Sequence, residues 1–130
     1  AIERQPDNAK AFLYRGTCKA TIGQREEAIS DLTRAFDLDP GLHEAIYHRA
    51  RIHIDLGDGV KAEEDLSWLL ARQPDQADLH LLRGKARAAV GDSTGAIADY
   101  RIYLERTPRS KLRRALETYI RDQQIAARRQ

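Results

Sequence analysis

The sequence predicts an all-α protein, a stack of helical hairpins of one design, and three observations carry that prediction. The four prolines, Pro6, Pro40, Pro74 and Pro108, are each separated by 34 residues, a fixed period of the kind that marks internal repeats. The same period relates Gly23, Gly57 and Gly91; Ala28, Ala62 and Ala96; Arg15, Arg49 and Arg83; Asp31, Asp65 and Asp99; and Gly16, Ala50 and Gly84. Within a unit the apolar residues recur at helical spacing, as in Phe12, Leu13, Cys18, Ala20 and Ile22 and then Ala28, Ile29, Leu32, Ala35, Phe36 and Leu38, so each unit is two helices.

The helices are predicted near 8–22, 25–38, 42–56, 59–72, 76–90, 93–106 and 110–127, with no strand. Gly23, Gly57 and Gly91 fall between the two helices of each unit, where a left-handed residue can end the first helix, and Asp58 and Asp92 follow as candidate caps of the second. Each proline closes a second helix, because the residue before a proline is pushed out of helical geometry. The units then run 9–42, 43–76 and 77–110. The opening residues AIERQP align with AFDLDP at 35–40, so 1–8 reads as the tail of a preceding unit's second helix, and the chain as one end of a longer array. After Pro108, residues 111–130 carry Leu112, Ala115, Leu116, Tyr119, Ile120 and Ile125 on one stripe and lack the glycine and alanine columns, as a capping helix would.

A unit of 34 residues with a small residue in its first helix, an alanine in its second and a closing proline resembles the tetratricopeptide repeat. The resemblance covers residues 9 to 110. The family's aromatic column holds Phe12, Ile46 and His80, of which only the first is aromatic, while the small-residue and alanine columns are intact. It implies a right-handed α-solenoid whose first helices line a concave groove that holds peptides or partner helices. Where the family places a leucine before the small residue this chain has Arg15, Arg49 and Arg83, each with an aspartate 16 residues later. Antiparallel helices set such residues opposite one another, and a guanidinium among apolar neighbours needs a carboxylate. An Arg–Asp bridge inside every unit is therefore predicted as a structural staple.

Columns whose chemistry varies between units mark the expected binding face: Leu13, Tyr47 and Leu81; Tyr14, His48 and Leu82; Thr17, Arg51 and Lys85; and Ala20, Ile54 and Ala88. They describe an apolar floor with two cations, suited to another protein's peptide or helix with apolar anchors and an acidic residue or terminal carboxylate. Leu13 and Leu81 also suit packing between first helices. Some family members grip the acidic tails of heat-shock chaperones with a clamp of lysine, asparagine and arginine. The matching places here hold Leu13, Thr17, His48, Asp78 and Leu82, none with the required charge or amide, so that clamp is not expected. Trp68 and Ile102 fall on one column read as convex and outward, a second contact patch through which the array could self-associate or orient another domain, as it could through an open N-terminal end.

Other chemistry finds no support. His43, His48 and His53 are five residues apart and diverge around a helix, so no metal or cofactor site is expected; His80 reads as packing. The single cysteine, Cys18, aligns with Ile52 and Ala86 and reads as an interior side chain rather than a nucleophile; a lone cysteine also allows no intramolecular disulfide, which fits the cytoplasm. No catalytic constellation is present, and the expectation is a binding module rather than an enzyme. A net charge of +2 from 22 basic and 20 acidic residues does not announce a nucleic-acid binder, the basic residues of the last helix reading as a solvated face. No apolar run is long enough to enter a membrane as a helix.

Overall fold

The computed structural model describes residues 6–129. Seven helices follow one another: α1 (Pro6–Thr21), α2 (Arg25–Leu38), α3 (His43–Asp55), α4 (Gly59–Arg72), α5 (Ala77–Ala89), α6 (Ser93–Arg106) and α7 (Arg113–Arg128). Pro6 sits in the first turn of α1, a place that needs no backbone donor from it. Residues 1 to 5 of the expected preceding helix lie outside the described residues. No helix among the described residues is long and apolar enough to cross a membrane.

The turn between the two helices of a unit is built the same way three times. Gly23, Gly57 and Gly91 have φ of 88°, 79° and 85°, the left-handed region that glycine enters without a Cβ penalty. The glycine amide donates to the carbonyl three residues back, and the next amide reaches five residues back, as in Gly57 N to Ile54 O and Asp58 N to His53 O. This double bond pattern satisfies carbonyls that the ending helix leaves open. Asp58 and Asp92 then accept from the amides of Lys61 and Gly95 at 3.2 and 3.0 Å, the predicted caps. Gln24, their counterpart in the first unit, makes no side-chain cap.

Helix pairs pack through the small columns. Gly84 lies against the ring of Tyr100, where an added Cβ would stand 2.5 Å from Cε1. In the second unit Ala50 faces the same way and is fully buried, as is Leu66 on the helix opposite. Three core clusters each join one unit to the next helix: Leu13 and Leu32 with Ala45 and Ile52 of α3, Ile46, Leu66 and Leu69 with Leu79 and Ala86 of α5, and Leu81 and Tyr100 with Leu116 of α7. Contacts also set the curvature. At the backbone α1 approaches α3 and α3 approaches α5, whereas the backbones of α2 and α4, and of α4 and α6, stay apart, α2 and α4 touching through the Phe36 and Trp68 rings. The first helices therefore form the inner wall and the second helices the outer one.

Among the described residues the backbone of α7 approaches that of α6 alone. Leu116 is buried and Tyr119 and Ile120 pack beside it, but Leu112, Ala115 and Ile125 are exposed, so the packed stripe is narrower than the sequence implied. With a neighbour on one side only, a wide stripe has nothing to cover its edges.

The predicted Arg–Asp bridges form in all three units, each two-pronged. Arg15 Nη2 and Asp31 Oδ1 lie 2.7 Å apart, Arg49 and Asp65 2.7 Å, and Arg83 and Asp99 2.9 Å, with Nε on the second carboxylate oxygen each time. The third is the most elaborate. Asp99, 1% exposed, also receives Arg87 Nη1 at 2.9 Å and faces His80 Nδ1 at 3.0 Å. Burial opposes ionisation of Asp99, yet the hydrogen bonds from Arg83 and His80 and the two guanidinium charges outweigh it and hold the carboxyl below its usual range.

Candidate functional site

The inner wall carries the varied columns, and the structure divides them by depth. Leu13 and Leu81 are 3% and 6% exposed and belong to the first and third core clusters. They serve as packing residues because neighbouring side chains cover them, whereas Tyr47 of the same column stays partly exposed. At the surface remain Tyr14, which is 63% exposed, the exposed Arg51 and Lys85, and the partly buried Thr17, Tyr47, His48, Ile54 and Leu82. Ala20 and Ala88 are also partly buried and complete the floor.

Tyr47 ties two first helices together. Its hydroxyl donates to Asp78 Oδ2 of α5 at 2.8 Å, and burial first, then that hydrogen bond, raise the phenol above its usual range, so it remains a neutral donor. The Arg51 guanidinium stands over the same ring, 5.8 Å from its centroid, and the His48 ring meets it edge-on at 5.5 Å. Burial, and after it the Arg51 charge, push the His48 imidazole below its usual range despite the opposing pull of Glu44. The middle of the groove is thus an aromatic pair at neutral pH, flanked by a cation. Neither Arg51 nor Lys85 has a carboxylate partner among the described residues. Such charges are available to an incoming anion, and partly apolar surroundings strengthen the attraction.

Residues with expected roles elsewhere are repositioned. Trp68 does not face outward with Ile102. It meets Phe36 and His43 edge-on at 5.2 Å each and carries Arg72 stacked 3.7 Å above its ring, which fastens the second unit onto the first. Ile102, one unit further on, is partly buried. His43 is bonded to Gln73 at 2.9 Å. Cys18 is exposed, unlike Ile52 and Ala86 in its column, because those two pack on the preceding unit's second helix, and no described helix covers α1 on that side.

Two features went unread in the sequence. Beyond its own aspartate, Arg49 Nη1 donates to Thr33 of the preceding unit at 3.1 Å, and Arg83 Nη1 to Ser67 at 3.2 Å. Four residues after the arginine column, Lys19 and Arg87 add second cations to Asp31 and Asp99 at 3.1 and 2.9 Å. The spacing of the second set was available; the first crosses units and varies in chemistry, as the same column next holds Arg101.

A family profile described as the tetratricopeptide repeat matches residues 47–111. RNA polymerase II-associated protein 3 of Xenopus tropicalis is 35% identical over 101 residues, which are 76% of this chain and 15% of that protein. The chain thus spans a small part of that relative. Among solved structures, the first TPR domain of human RPAP3 superposes with a TM-score of 0.81 at 26% identity, covering 95% of this chain and 96% of that one. The first TPR of Spaghetti (RPAP3), bound to the HSP90 peptide SRMEEVD, gives 0.82 at 24% identity and 98% coverage of both.

Proposed function

Because the chain belongs to the tetratricopeptide repeat family, we propose that its concave face captures an extended peptide or a helix of a partner protein. The observation that carries this reading is the pair of exposed cations, Arg51 and Lys85, without a carboxylate partner among the described residues, beside the Tyr47–His48 pair and the floor of Ile54, Leu82 and Ala88. An apolar anchor settles on the floor, and a carboxylate of the ligand bridges the two cations. The work is binding rather than catalysis.

A neighbour in this fold holds an HSP90 peptide. At the places where a terminal-carboxylate clamp would stand, this chain has the buried Leu13, Thr17, His48, Leu82 and an Asp78 already engaged by Tyr47. The anion grip instead falls to Arg51 and Lys85, three residues, roughly one helical turn, beyond His48 and Leu82. The charge-reversed double variant Arg51→Glu with Lys85→Glu tests the reading on an array of acidic and apolar peptides. The native chain retains a subset that the variant releases, with the melting midpoint unchanged since both residues are exposed. Retention of the same peptides by the variant refutes the groove.

A further inference from the structure

The buried aspartate of each unit receives its arginine on both oxygens, and in the first and third units Oδ2 also takes a cation from the residue four places after that arginine. Lys19 Nζ stands 3.1 Å from Asp31 Oδ2, and Arg87 Nη1 2.9 Å from Asp99 Oδ2. The second unit breaks the pattern. His53 holds that column, and among the described residues Asp65 Oδ2 accepts from Arg49 Nε alone, at 3.0 Å. His53 is 7% exposed, and its Nδ1 is buried with no hydrogen-bond partner among the described residues. Burial above all, against the pull of Asp65 and Asp58, holds the imidazole below its usual range, so at neutral pH it is uncharged and able to accept.

A cleft opens at this joint. It lies between α2 and α4 over Arg49 and His53 of α3, encloses about 250 Å³ beside Glu64 and Asp65, and continues along Ile29 and Leu56 to a mouth near Glu26 and Asp58. At the matching place in the third unit stands the Arg87 guanidinium, which bridges Asp99 and Glu63. Within the cleft Arg49 is engaged by Asp65, and Lys61 lies 3.8 Å from Asp58. Glu26 and Glu64 are exposed and have no cationic partner among the described residues. After this internal pairing the cleft is net negative. All three helices that form it lie within the array, so it is not an end face.

We propose that this cleft in the outer wall binds the guanidinium of an arginine side chain presented by another protein. One nitrogen donates to Asp65 Oδ2, as Arg87 does to Asp99, another donates to the His53 ring as the imidazole turns to meet it, and Glu64 balances the charge at the rim. The aliphatic stem lies along Ile29 and Leu56. A planar fork reaches these acceptors together, which a compact ammonium does not. Free arginine fits less well, because its α-carboxylate meets Glu26 and Asp58 at the mouth. The cleft is on a different face of α3 from the groove residues Tyr47, His48 and Arg51.

Titration of the full chain with N-acetyl-arginine methylamide, followed by NMR at the His53 ring, tests the proposal. The capped arginine shifts the ring resonances saturably, with a Kd on the order of 1 mM, and the capped citrulline, similar in shape but uncharged, does not. Glu64→Gln weakens the binding several-fold. His53→Arg rebuilds the third unit's arrangement from within, so the response, then read at the Ile29 and Leu56 methyls, disappears while the melting midpoint does not fall. The groove variant Arg51→Glu with Lys85→Glu responds as the native chain does. The proposal is overturned by no saturable shift in the native chain, by an equal response to citrulline, by a response retained in His53→Arg or lost in the groove variant, or by tighter binding of free arginine than of the capped form.

Discussion

Replacing Asp99 by alanine removes the acceptor around which the third unit closes. Four nitrogens face its carboxylate at 2.9–3.0 Å: Arg83 Nε and Nη2, Arg87 Nη1 and His80 Nδ1. In Asp99→Ala, Arg87 keeps Glu63 and Arg83 keeps only Ser67, so a guanidinium is left largely buried with no counter-charge. Breaking a buried pair on one side in this way costs about 3–5 kcal/mol, which for a chain of this size lowers the melting midpoint by roughly 10–20 °C. Urea denaturation followed by far-UV circular dichroism reads the loss directly. The matched change Asp31→Ala costs less, because Arg15 can turn out to water. A loss at Asp99 below about 1 kcal/mol, the level of an exposed ion pair, or a loss at Asp31 as large as that at Asp99, would refute the reasoning.

Three further outcomes follow from the same packing. The folded-state carboxyl of Asp99 lies below its unfolded value of about 3.9, so its contribution is complete above that pH and declines as acid takes pH toward the folded value; Asp99→Ala therefore shows a shallower stability loss on acidification, measured by denaturation at stepped pH. Gly84→Ala drives a Cβ into Tyr100 and costs on the order of 1–2 kcal/mol after the helix-propensity gain, whereas Gly16→Ala is close to neutral, since Ala50 already sits in that column with Leu66 opposite; equal effects at the two sites would count against the packing account. Leu66→Ala empties a fully buried site and costs about 2–5 kcal/mol, by the same denaturation assay.

Much of the fold was legible because a repeat prints its structural needs several times. Gly57 and its counterparts recur because each turn requires a left-handed residue, and Arg83 with Asp99 recurs because each buried guanidinium requires a carboxylate. Residues that depend on what lies across a joint were harder. Leu13 and Tyr47 share a column, yet one is core and the other groove, and only the placement of neighbouring helices separates them. Trp68 looked outward by register and packs inward because Phe36 of the preceding unit and His43 of its own offer it an aromatic notch. Cys18 shows the converse: its column is interior wherever a second helix precedes it.

The groove is the central claim, and amide chemical-shift mapping with a peptide retained on the array addresses it most directly. The account predicts perturbations concentrated at Tyr47, His48, Arg51, Ile54, Leu82 and Lys85 along the inner wall. Perturbations centred on the outer wall, at Ile97, Ala98 and Arg101 of α6 or Gln123 and Gln124 of α7, with the inner wall silent, would contradict it.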